Sequence, residues 1–232
     1  VEGFEEVLEF YQGSENKNLQ IQAIRHLLKV YGKGNDHEKI LATSQRGLDL
    51  VDDLPEMQLY FSELNIAALY RLNRVDEAVE RSKSTLEIAR ELKNEAKELD
   101  ILMSLGESSF LTEDLDQSME YYNEARILAS KLNRMKDAAY LAGRQGIVHA
   151  EAGRLDKAIK MHEDAVKIAR KKDMPEFEAE QLSMLALAFL EKENDEEALE
   201  YAKKAQNLYE ENGMVDETLI AQQLIDQIKE KI

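Results

Sequence analysis

The chain has 232 residues, with 30 Lys+Arg against 47 Asp+Glu for a net charge of −17, and it contains no Cys, no Trp, two Pro and ten Gly. At 44% hydrophobic and 33% charged, it is too apolar for a disordered acidic tail and too charged for a membrane span. The lack of Cys excludes disulfide frameworks, thiolate nucleophiles and zinc–thiolate centres, and the negative charge disfavours nucleic acid and anionic membrane surfaces as direct partners.

From the start of the chain, Val1 to Gln12 carries four glutamates and no basic residue, which is no signal peptide. Val7, Leu8, Phe10 and Tyr11 read as the end of a helix, giving a partial leading helix at 1–13. Opening on Val, the chain reads as a piece of something longer, and a soluble cytoplasmic location is expected. Scarce Pro and Gly with abundant Ala, Leu, Glu and Lys then predict long helices. The first helix of each pair is predicted at 55–72, 95–112, 137–152 and 175–192, and the second at 76–92, 116–132, 156–171 and 196–211. An earlier second helix falls at 38–51, after the turn formers Gly32, Gly34, Asn35 and Asp36. Leu219, Leu224, Ile225, Ile228 and Ile232 form one predicted apolar stripe on a final helix. That helix caps the core and turns Asp226, Lys229 and Glu230 to water.

The elements repeat. Small residues at Ala78, Ser118, Ala158 and Ala198 are forty apart, as are Thr85, Ala125, Ala165 and Ala205 seven positions later. Twelve residues before the first set stand Ile66, Gly106, Gly146 and Ala186, and Pro55 and Pro175 differ by three periods. Small residues recur where helices must approach closely. A lone helix pair cannot bury its apolar face, so the pairs must stack. The fold class predicted is all-α, a right-handed α-solenoid of stacked antiparallel helix pairs. One solenoid domain is expected, with hairpins at 14–52, 53–92, 93–132, 133–172 and 173–212 and a capping helix at 213–232. Each second helix opens on an acidic residue (Glu38, Asp76, Asp116, Asp156, Glu196), which suits the helix dipole. Much of the −17 is expected on these second helices and their first turns.

The triads Gly106, Ser118, Ala125, then Gly146, Ala158, Ala165, then Ala186, Ala198, Ala205 resemble the tetratricopeptide repeat family. Its hairpins carry a small residue late in the first helix and two in the second. The resemblance spans residues 14–232 and is to a long, forty-residue variant of a unit that is ordinarily about 34 residues. Similar long units occur in kinesin light chains and bacterial peptide-sensing regulators. The aromatic that usually follows the first small residue is Leu69, Ser109 and His149 here, surviving as Tyr31 and Phe189.

Chemistry has few candidates. His149 and His162 fall in helix-packing slots, while His26 and His37 read as surface residues. No His-Glu-x-x-His motif or phosphate loop is present, and the many carboxylates read as solvated helix faces. No catalytic residue, metal or cofactor is expected, and the chain is read as a non-enzyme.

The resemblance implies that the first helices line a concave face that holds a partner segment. The candidate contacts are Arg25, Lys29, Tyr60, Leu64, Tyr70, Arg71, Met103, Phe110, Tyr140, Arg144 and Met184. The aromatic and methionine residues suit an adaptable apolar grip. Basic residues gather at the first hairpin and acids towards the last, so a peptide with apolar anchors and an acidic end near Arg25, Lys29 and Arg71 is the partner read from them. A clamp for acidic chaperone tails is disfavoured, because the family's asparagines are absent and the second hairpin presents Glu63 and Ala67. The leading function is a protein-interaction scaffold. Its rival is a peptide-sensing regulatory domain of a longer bacterial signalling or transcription protein.

Overall fold

The computed structural model describes residues 16–232; the partial helix predicted at 1–13 lies outside them. Eleven helices run through the described residues, with no strand among them: α1 Lys17–Lys33, α2 His37–Leu48, α3 Pro55–Arg71, α4 Val75–Glu91, α5 Glu95–Leu111, α6 Leu115–Lys131, α7 Met135–Glu151, α8 Leu155–Lys171, α9 Pro175–Glu191, α10 Asp195–Glu211 and α11 Val215–Lys229. The fold is an all-α solenoid of paired antiparallel helices. Contacts divide the chain into two compact units, Val1–Ser108 and Ser109–Ile232.

A uniform joint sets the period. Residues 73, 93, 113, 133, 153, 173, 193 and 213 all have positive φ, so one left-handed residue recurs every twenty positions. Around each, two backbone bonds close the preceding helix. The Asn73 N–H donates to Tyr70 O at 3.1 Å and the Arg74 N–H to Leu69 O at 2.9 Å, and the same pair recurs at Gly153 and Arg154. This Schellman geometry satisfies carbonyls that a helix end would otherwise leave bare. Only Gly153 and Gly213 carry the residue for which the conformation is cheap; Lys93, Glu113, Asp173 and Glu193 adopt it too. Pro55 and Pro175 open α3 and α9 at the first helical turn, where no N–H is missed.

The repeated small residues lie at the packing seams: all eight, from Ala78 and Thr85 to Ala198 and Ala205, are completely buried. Second helices bury a single stripe, as α8 does with Ala158, Ile159, His162, Ala165, Val166 and Ala169. First helices are packed on two sides, α3 against α2 and α4, and α9 against α8 and α10. In the first unit Phe61 fills the gap beside Gly47, within a core of Ile24, Leu27, Tyr31, Ile40 and Val51.

Two expectations need correction. On α11 the buried stripe is Ala221, Ile225 and Ile228, while Leu219 is 59% exposed and Ile232 is 71% exposed. Leu219 is two residues before Ala221, roughly the opposite side of a helix at 3.6 residues per turn, and Ile232 lies past the helix end. Nor is the acidity a property of the second helices. α8 has five basic residues against three acidic, whereas α10 has six acidic against two basic.

Candidate partner-binding groove

All eleven candidate contacts lie on odd-numbered helices, and none is buried. In the first unit, Arg25 and Lys29 on α1 and Arg71 at the end of α3 are exposed, and the Arg25 guanidinium lies 5.5 Å from the centre of the Tyr60 ring. Four basic residues and no acid stand on α1. Tyr70 is tied down: its hydroxyl is 2.7 Å from Ser108 Oγ, linking α3 to α5. Glu63 is engaged by Lys97 at 2.5 Å. Leu64 and Met103 are half-buried.

In the second unit Arg144 and Phe110 meet. The Arg144 guanidinium covers the Phe110 ring at 5.1 Å, and its Nε donates to Tyr122 Oη at 3.3 Å. Burial pushes the Glu180 carboxyl upward, and the positive charge of Arg144 pulls it back down. Tyr140 touches Phe177, with ring centres 6.5 Å apart.

Beyond Glu180 opens an apolar groove of about 400 Å³ among α9, α10 and α11. Met184, Leu187, Ile220 and Leu224 line it, with Tyr209, Glu180 and Glu217 supplying polar groups. Leu187 is 45% and Ile220 65% exposed. The lining residues from α11 are not among the candidate contacts, because the sequence makes that helix a cap. The signal was present, for Ile220, Gln223, Leu224 and Gln227 stand forty residues after Glu180, Ser183, Met184 and Leu187, and all eight line the groove.

Another cavity, of about 580 Å³, lies among α2, α3 and α4, with Gln45, Asn65, Arg74, Glu77 and Arg81 as well as Leu41 and Leu69 in its lining. Its charges are satisfied locally. Arg74 pairs with Glu77 at 2.6 Å and Arg81 donates to Gln45 at 2.8 Å.

Of the histidines, His162 has a packing role. His162 is buried, and its ring fills a slot beside Gly146. Its Nδ1 is 2.8 Å from Gln181 Oε1; an amide oxygen only accepts, so Nδ1 carries the proton. Burial lowers the His162 pKa below 6.5, opposed by the Gln181 bond. The unfolded chain therefore takes up a proton first, and stability is lost as pH falls below 6.5. His162→Gln is expected to remove part of this loss in urea unfolding near pH 7 and near pH 5.5, while the effect of the net charge is shared by both proteins. An identical pH response in the variant would refute the assignment. His149 is half-buried with an unpartnered Nδ1, His37 is half-buried, and His26 is exposed. Among the described residues no group of three or more His, Asp or Glu could hold a metal ion, and no helix is long and apolar enough to cross a membrane.

The profile of the tetratricopeptide repeat family matches residues 137–211, the part that contains α7, α8, α9 and α10. The chain has a tetratricopeptide-like repeat fold. No curated protein sequence matches it. Solved structures do. BtubC (BKLC) from P. vanneervenii aligns at TM-score 0.72 and 18% identity, over 91% of this chain and 90% of that one. The apo form of RapI aligns at TM-score 0.67 and 14% identity, over 98% and 89%. A signal transduction ATPase with a tetratricopeptide repeat sensor, PH0952 from Pyrococcus horikoshii, aligns at 0.79 and 14%, over 97% of this chain but 36% of that one. At these identities the likeness is one of fold. That fold is a stack of helical hairpins.

Proposed function

We propose that the chain is a protein-interaction scaffold that holds a partner segment on its odd-numbered helices, within the long-repeat branch of the tetratricopeptide proteins. The twenty-residue spacing of the turns supports the branch. The apolar groove between α9 and α11 is the observation that carries the function. Exposed Leu187 and Ile220 face a concavity with few polar groups, the setting in which a partner's apolar side chain gains most from leaving water. Glu180 and Glu217 in its lining would fix the orientation of a peptide backbone. In the first unit, Arg25, Lys29 and Arg71 offer cations to an acidic group.

The test is capture of a partner from the source cell by the full chain, followed by affinity measurement. Leu187→Asp with Ile220→Asp should weaken that partner about a hundredfold and leave thermal unfolding within a few degrees of wild type. A partner held equally well by this variant would place the binding surface elsewhere. Charge reversal at Arg25 and Lys29 probes the acidic group separately.

A second reading is a sensory module within a longer signalling protein. The alignment with PH0952, a signal transduction ATPase with a tetratricopeptide repeat sensor, covers 36% of that chain and favours this reading. Joined to an output domain, the same groove would report occupancy by a peptide.

A further inference from the structure

The forty-residue register allows equivalent exposed positions of the second helices to be compared. On α4 they are Glu77, Glu80, Glu87 and Glu91, and on α10 Glu197, Glu200, Asn207 and Glu211. On α8 the same four positions are Lys157, Lys160, Lys167 and Lys171, all exposed. The sign of the stripe is inverted on this helix alone among the three.

These lysines do not balance the chain's own acids. Lys167 makes one long contact, 3.9 Å to Asp164. Lys157, Lys160 and Lys171 make no ion pair among the described residues. Asp164 sits inside the stripe but is also held by Arg126 of α6 at 3.3 Å. Like charges three and four apart on a helix repel, and within the fold only the long Lys167–Asp164 contact and the helix dipole at Lys171 offset this.

Exposed apolar surface flanks the stripe on the α6 side. On α6, which Arg126 ties to α8, Ile127 occupies the position equivalent to Lys167 and is 71% exposed. Towards α10, a groove of about 440 Å³ is lined by Glu163, Lys167, Arg170, Tyr201 and Lys204, with Val166, Leu182 and Leu185 buried beneath them.

We propose that this face of α8 docks an acidic protein segment that carries apolar side chains, a surface separate from the odd-helix groove. Cations with adjoining apolar contacts are complementary to such a segment. The net charge of −17 decides against a long polyanion, which the rest of the surface repels. A short segment meets the lysines within the screening length of about 8 Å at physiological salt.

The test uses a fluorescein-labelled Glu-rich peptide with regularly spaced Leu, and its Gln-for-Glu counterpart, titrated with the full chain by anisotropy. The acidic peptide should bind and weaken as salt is added, and the Gln peptide should not bind. Combined Lys160→Glu, Lys167→Glu and Lys171→Glu should cost about tenfold in affinity. Reversal of Lys203 and Lys229 should cost less than about twofold. Equal binding of both peptides, or an equal loss with the two control lysines, would overturn the proposal. So would tighter binding of duplex DNA or anionic vesicles through the same three lysines. The groove variant Leu187→Asp with Ile220→Asp should bind the acidic peptide as wild type does, which keeps this result distinct from the groove reading.

Discussion

Replacing Phe61 by Ala is expected to lower stability by about 3–5 kcal/mol, the largest loss of any single change considered. Phe61 is completely buried, and its ring occupies the space that the missing side chain of Gly47 leaves open. A Cβ on Gly47 would lie 2.8 Å from three of its ring atoms. Deleting the ring removes apolar burial and leaves a cavity between α2 and α3 that a backbone glycine cannot fill. Urea unfolding measures the loss. Phe61→Leu should cost roughly half as much, and a loss below about 1 kcal/mol for Phe61→Ala would mean that the hairpin repacks without it.

The second large effect runs against helix propensity. Ala at a helix interior is ordinarily worth about 1 kcal/mol over Gly, yet Gly146→Ala should destabilise by about 1–3 kcal/mol. The new Cβ would stand 2.6 Å from Cε1 and Nε2 of His162. That ring cannot easily retreat, because Nδ1 is bonded to Gln181 at 2.8 Å and Gln181 Oε1 would itself be 2.7 Å from a Cβ on Gly143. The two glycines of α7 thus make room for one polar bridge from α8 to α9. In a His162→Ala background the collision is absent, and Gly146→Ala should become neutral or stabilising. A stabilising Gly146→Ala in the wild-type chain would show that the slot is looser than the geometry indicates.

Much of the fold is legible because close helix approach demands small side chains, and a demand repeated every forty residues leaves a visible mark. Ala78, Ser118, Ala158 and Ala198 carry it, and all are completely buried. The twenty-residue joint is less visible. Its left-handed position holds Asn, Lys, Glu or Asp as readily as Gly, since backbone hydrogen bonds rather than residue type secure it. Small residues also have more than one use: Gly146 is a helix contact and, at the same time, a receptor for the His162 ring. Candidate contacts can be read on each odd helix up to Met184 but not on α11, where an apolar stripe on a last helix suggests a cap. Leu219 and Ile220 are exposed there, so one stripe cannot account for the helix. Tyr70 shows the opposite limit. Its position on the first helix was readable, but its bond to Ser108 depends on a neighbour thirty-eight residues away.

The joints also bear on how such a chain changes over generations. Each turn from Asn73 to Gly213 closes its helix with main-chain bonds of its own. Loss of residues 133–172 would bring Asp173 directly after Leu132, replacing one left-handed residue by another in the same setting. Unequal recombination can therefore add or remove whole hairpins with no joint to be reinvented, and the number of repeats becomes a trait that selection can alter in single steps.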